Sequence, residues 1–115
     1  MLIKDNQIPV FTEMCAEGGK GKLQLHKMSD TYEKPAHLRT FAVAELEPGA
    51  SVGYHIHMGE SETYYILSGS GIYNDNGTLM PIAAGDVTFT PHGTGHGLEN
   101  TGDTVMRFIP LIILD

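Results

Sequence analysis

Gly49-Ala50-Ser51-Val52-Gly53-Tyr54-His55-Ile56-His57-Met58-Gly59-Glu60-Ser61-Glu62-Thr63-Tyr64-Tyr65-Ile66-Leu67-Ser68-Gly69 is the stretch that decides the fold. Side chains two apart on an extended strand point to the same face. A strand over residues 53–57 therefore sends His55 and His57 side by side into one cavity. A following strand near 62–68 brings Glu62, with Tyr64 and Ile66 sharing its parity, and a later strand near 95–100 brings His96 with Leu98. Imidazole nitrogen together with carboxylate oxygen is the donor mixture that holds divalent manganese, iron, cobalt, nickel, copper or zinc. No cysteine is near the set, which excludes a purely thiolate site.

Outward from this stretch, the punctuation is that of short strands and tight turns. Gly49, Gly69 and Gly85 each begin or end an alternating segment, where a turn can require a positive φ. Pro91 cannot continue a ladder and closes the strand before His96. Asn74-Asp75-Asn76-Gly77 lies between two strand-like pairs and reads as a hairpin turn. Strands are expected at 38–46 and near 52–57, 62–68, 70–74, 78–83, 86–90, 95–100 and 104–114, with an earlier one around Leu23 and Leu25. No helix, repeat or low-complexity tract is legible. The expected fold is all-β, a double-sheet barrel.

The spacing also carries a resemblance. Five residues separate Gly49 from His55, one separates His55 from His57, four lead to Glu62 and six to Gly69. The second block runs from Gly85 through Pro91, Gly93 and His96 to Asn100, and 15 residues, 70–84, lie between the blocks. In both blocks the chain resembles the cupin superfamily, specifically its small single-domain members. The resemblance implies a cupin double-stranded β-helix, or jelly-roll barrel, in one domain. An N-terminal arm over residues 1–36, with a first strand, precedes a barrel over 37–115. It also implies one divalent transition metal per chain, held by His55, His57, Glu62 and His96.

Composition sets bounds that agree. A chain of 115 residues builds one domain with one core. A net charge of −7 argues against nucleic acid or an anionic membrane as partner. Lys4, Asp5 and Asn6 interrupt any apolar leader, and the longest apolar run, Ile109 to Leu114, is far too short to span a bilayer. Cys15 is alone, so no internal disulfide forms, and a reducing, cytoplasmic setting is expected. The segment from Val105 to Leu114 is apolar on both faces apart from Arg107, whereas a strand buried on one face should alternate. Burial of the second face against another copy accounts for the excess, and a homodimer is expected.

At the site, Glu62 serves as a metal ligand or swings away to act as a base. As a ligand it leaves the centre at net +1, which favours an anion or an oxygen species in the open positions. Tyr64 either donates a hydrogen bond to a guest or simply packs. Ile66 and Leu98 are expected on the pocket wall. Arg39 and Arg107 are each placed to clamp a substrate carboxylate or to form a solvent-facing ion pair. His92 lies in a turn at the cavity mouth, while His26 and His37 read as surface residues.

The resemblance spans dioxygenases, decarboxylases, isomerases and non-catalytic binders, and fold alone does not choose among them. The expected function is a metal-dependent enzyme acting on a small oxygen-chelating molecule such as a keto- or hydroxy-acid. The alternative is a metal-dependent protein that binds a small ligand or sugar without turning it over.

Overall fold

A computed structural model describes residues 1–115. Ten strands form two sheets. They are β1 (Val10–Met14), β2 (Lys22–Lys27), β3 (Leu38–Leu46), β4 (Ser51–Ile56), β5 (Glu60–Ser68), β6 (Ser70–Asp75), β7 (Thr78–Ala83), β8 (Val87–Thr90), β9 (Gly95–Glu99) and β10 (Met106–Leu114). The six-stranded sheet runs β1-β2-β3-β10-β5-β8 and the four-stranded sheet runs β4-β9-β6-β7. Every pairing is antiparallel, and the only helical segments are three short 3-10 turns.

Period-two patterning builds the core. On β5, residues Glu60, Glu62, Tyr64 and Ile66 point inward and are buried, while Tyr65 and Leu67 point out and are exposed. Leu46, Ile66, Met106 and Phe108 from the six-stranded sheet meet Val52, Tyr73 and Leu98 from the other. The turns behave as their residues require. Gly49, Gly69 and Gly85 have φ of 79°, 92° and 91°, and Asn76-Gly77 takes positive φ at both positions, the signature of a two-residue hairpin turn.

The arm departs from expectation. It contributes two strands, because Val10–Met14 pairs with β2, where the sequence showed only one. All five residues of β1 are exposed, so neither face is buried and no alternation marks it. The arm is also part of the main sheet, since Leu23 of β2 sits opposite Leu46 of β3. Its turn presses on β4 through glycines. A Cβ on Gly53 would collide with the Glu17 carbonyl oxygen, and one on Gly19 would collide with that of Ser51.

Candidate metal centre

A β-bulge aims the first ligand. Val52 pairs with Leu98 and His55 with His96, with a register shift between the two pairs. Val52 and His55 are an odd number of residues apart, so strict alternation would place them on opposite faces. The extra residue lets both point inward. His57 follows the end of β4 with the parity of His55. Glu62 arrives from β5 in the facing sheet, opposite Thr90 of β8.

These elements bring the four expected ligands together. The donor atoms of His55, His57, Glu62 and His96 all lie within 4.8 Å of one another. His57 Nε2 is 3.1 Å from His55 Nε2 and 3.1 Å from His96 Nε2. Glu62 Oε1 is 3.0 Å from His57 Nε2 and 2.9 Å from His96 Nε2. Neighbouring corners of a six-coordinate ion with bonds of about 2.1 Å are about 3.0 Å apart, against about 3.4 Å for a tetrahedron. The donor set therefore fits one divalent ion.

The far sides of the rings are fixed as a metal centre needs. His55 Nδ1 lies 2.7 Å from the Gly53 carbonyl oxygen, and His57 Nδ1 lies 3.0 Å from Glu60 Oε2. Both of those oxygens can only accept, so each Nδ1 donates and each Nε2 presents its lone pair to the centre. His96 Nδ1 is 3.0 Å from both the Tyr73 hydroxyl and Thr90 Oγ1. Those two hydroxyls can donate or accept, so His96 can turn either a lone pair or an N–H toward the centre. Imidazole nitrogens and a carboxylate converging at about 3 Å need a cation or protons among them.

In the metal-free protein, protons take part of that role. The hydrogen bond with Glu62 raises the His57 pKa above its ordinary 6.5 against the opposing effect of burial, with Glu60 adding to the rise. Burial pushes His96 below 6.5 and outweighs its contact with Glu62. Burial alone would raise Glu62, but hydrogen bonds from His57 and His96 overcome it, and the carboxyl stays below its ordinary range. Burial holds the Tyr64 phenol far above its ordinary value, so it remains protonated.

Glu60, Tyr73 and Thr90 are the residues that sequence reasoning missed. The signal for Glu60 was present: it sits two before Glu62 on β5 and so faces the same way. Glu60 also joins the centre to a cation, because Arg39 Nη1 donates to Glu60 Oε1. Arg39 reaches inward because β3 bulges there. Ile112 pairs with Thr40 and Ile113 with Leu38, leaving Arg39 as the extra residue.

A cavity of about 260 Å³ opens beside three of the four ligands, His55, His57 and Glu62, while His96 is fully buried behind them. Tyr64, Val52, Phe108, Ile112 and Arg39 form part of its wall, and Glu13, Glu17 and Lys27 from the arm region complete it. Tyr64 also stacks on His96, with ring centroids 4.8 Å apart.

Three expected site residues lie elsewhere. Ile66 and Leu98 point inward as their parity requires, but they belong to the packed core and not to the cavity wall. At about 3.3 Å per residue, Ile66 lies roughly 13 Å along β5 from Glu62, and Leu98 about 7 Å along β9 from His96. Arg107 projects outward between the buried Met106 and Phe108, and its Nε sits 3.5 Å from Glu45 Oε2. It forms an ion pair on the outer face and is absent from the cavity wall. His92 is exposed, and its Nδ1 accepts from the Gly59 N–H at 2.7 Å.

This barrel and its histidine-carboxylate centre define a class. The chain belongs to the cupin family, and the family's cupin-domain model matches residues 42–113. An oxalate-binding protein of Thermotoga maritima is 42% identical over 114 residues, covering 99% of this chain and 94% of the relative. A crystal structure from the same organism, described as a predicted oxalate decarboxylase, superposes with a TM-score of 0.89 at 41% identity over 100% of both chains. An oxalate decarboxylase of Bacillus subtilis is 30% identical over 101 residues, which is 84% of this chain and 25% of that protein. No helix here is long and apolar enough to cross a membrane.

Proposed function

We propose that this cupin holds one divalent transition metal on His55, His57, Glu62 and His96 and uses it to bind a small acid with two adjacent oxygen donors, oxalate foremost. The observation that carries the reading is the convergence of three imidazoles and Glu62 at a cavity that has His55, His57, Glu62 and Arg39 on its wall. Four protein donors leave two positions on a six-coordinate ion, which suits a bidentate guest. When bound, the metal supplies Lewis acidity, drawing negative charge from the two oxygens.

The chain's own residues do the rest. A +2 ion with one carboxylate leaves the centre at net +1, which attracts an anion. Arg39 spends one N–H on Glu60 and keeps others for a carboxylate. Tyr64, protonated and stacked on His96, closes one side and keeps water from it. The likeness to the oxalate-binding relative, which spans almost both chains, supports this ligand class.

Calorimetric titration tests the reading. Oxalate should bind the metal-loaded protein and not the stripped protein, and Arg39→Ala should weaken binding roughly tenfold or more. Equal oxalate affinity with and without metal contradicts it. A second reading, turnover of the bound acid with loss of carbon dioxide, is favoured by Glu13 and Glu17 on the cavity wall. The C–C bond breaks, carbon dioxide leaves, and the remaining carbon takes a proton that one of these acids would deliver. Formate and carbon dioxide in equal amounts from oxalate would establish turnover, and their absence alongside binding would leave the protein a binder.

A further inference from the structure

We propose that the guest of this site carries a second anionic group, remote from its chelating pair of oxygens, and that Lys27 receives it. The inference deepens the metal-chelation reading above and rests on it. Its basis is the way charge is divided along the cavity.

Lys27 faces inward at the end of β2. Leu23 and Leu25 share its parity, and all three side chains line the cavity. Phe11 pairs with Leu25 and so faces the same way, and Lys27 Nζ sits 4.7 Å from the centre of its ring. The ring attracts the ammonium but leaves its N–H donors unspent. The ion pairs of lysine and arginine engage Lys22, Lys34, Arg39 and Arg107, and leave Lys27 out. A half-buried ammonium without a counter-ion attracts an anion.

The acids lie at the other end. Glu13 is opposite Leu23, next to the turn that joins β1 to β2, and Glu17 lies in that turn. Lys27 is four residues farther along β2 than Leu23, or about 13 Å. It sits opposite Ala42 on β3, three residues from Arg39. The cavity therefore has an acidic end, which an anion avoids, and a cationic end. Arg39 is held by Glu60, which also accepts from His57, so it belongs beside the metal. Lys27 is the cation left for a more distant group.

Size and reach agree. The cavity of about 260 Å³ nears the roughly 300 Å³ at which pockets for drug-sized ligands begin, more than oxalate fills. Cross-strand register puts Lys27 in one row with Ala42, Pro110 and Tyr64. Three strand spacings make that row about 14 Å long, a gap for the lysine stem and a short-chain guest to bridge together. A 2-oxo or 2-hydroxy diacid fits. Its first carboxylate and the adjacent oxygen chelate the metal, and its distal carboxylate meets Lys27.

Calorimetric titration of the cobalt-loaded protein tests this, with the visible absorption of the ion reporting the chelating end separately. 2-Oxoglutarate should bind about tenfold more tightly than 2-oxopentanoate, which has the same chain length and a methyl in place of the distal carboxylate. Lys27→Met keeps the stem and should bring the two acids to within about twofold, with oxalate affinity changed less than about threefold. Lys27→Arg restores the charge and should restore the preference. Wild-type affinities for the two acids within about twofold of each other overturn the inference, as does a preference that Lys27→Met leaves unchanged. If oxalate still binds in either case, the chelation reading stands and this inference alone falls. If no acid binds, oxalate included, both fall.

Discussion

Replacing Glu60 tests whether the rings are oriented for a metal or merely packed. Its carboxylate accepts from His57 Nδ1 at 3.0 Å and from Arg39, and its side chain is nearly buried. In Glu60→Ala, His57 loses the acceptor that fixes its tautomer, and Arg39 is left without its partner. A hydrogen bond involving a charged group contributes about 1.5–3 kcal/mol. Spent on holding a metal ligand, that corresponds to roughly a 10- to 100-fold loss of metal affinity. Glu60→Gln keeps an oxygen that can accept from Nδ1 but removes the charge, so its loss should be smaller, about 3- to 10-fold. Competition against a chelator of known affinity, followed by metal analysis, measures both variants. Affinities within twofold of wild type for Glu60→Ala would refute the reasoning, because His57 would then be held by packing alone.

Acid should release the metal, beginning above the ordinary histidine range. The His57 value lies above 6.5, so a proton competes there first, and affinity should fall about tenfold per pH unit below that value. A flat profile in the same chelator assay between neutral and mildly acidic pH would contradict this. For the metal-free fold, thermal melts should show two opposed histidine effects. The stability from His57 is fully present below 6.5 and lost as pH rises through its raised value, while that from His96 is present above 6.5 and lost as pH falls through its lowered value. Glu62 adds stability present above 4.5 and lost as pH falls through its lowered value, so the acid side should show the steeper decline. Ile66→Val should cost about 0.5–1.5 kcal/mol in denaturant unfolding and leave ligand affinity unchanged, as a core residue away from the cavity requires.

Most of the fold was legible because the strands obey local rules. Period-two patterning located β3 at its observed bounds and the other strands from β4 to β10 to within two residues, and Gly49, Gly69, Gly85 and Asn76-Gly77 turn where expected. Strand β1 was not legible, since both its faces are open and its pairing with β2 is the only thing that defines it. The four converging side chains could be read from parity and spacing, but what surrounds them could not. Two bulges break the alternation that sequence reading relies on, one before His55 and one at Arg39. The first explains why Val52 and His55 share a face, and the second turns Arg39 to Glu60. Parity also says which way a side chain points and not how far along the strand the cavity extends. Ile66 and Leu98 were placed on the wall for that reason, and the structure puts them in the core. Tyr73 and Thr90 contact His96 only because β6 and β8 come from different sheets that close over it.

The most direct test of the centre is a metal titration of stripped protein, read by anomalous scattering from crystals of the loaded form. The account predicts about one ion per chain, with a single peak between His55, His57, Glu62 and His96, and loss of that ion in His55→Ala/His57→Ala. Protein that takes up no ion, or a double variant that binds it as tightly as wild type, would contradict it.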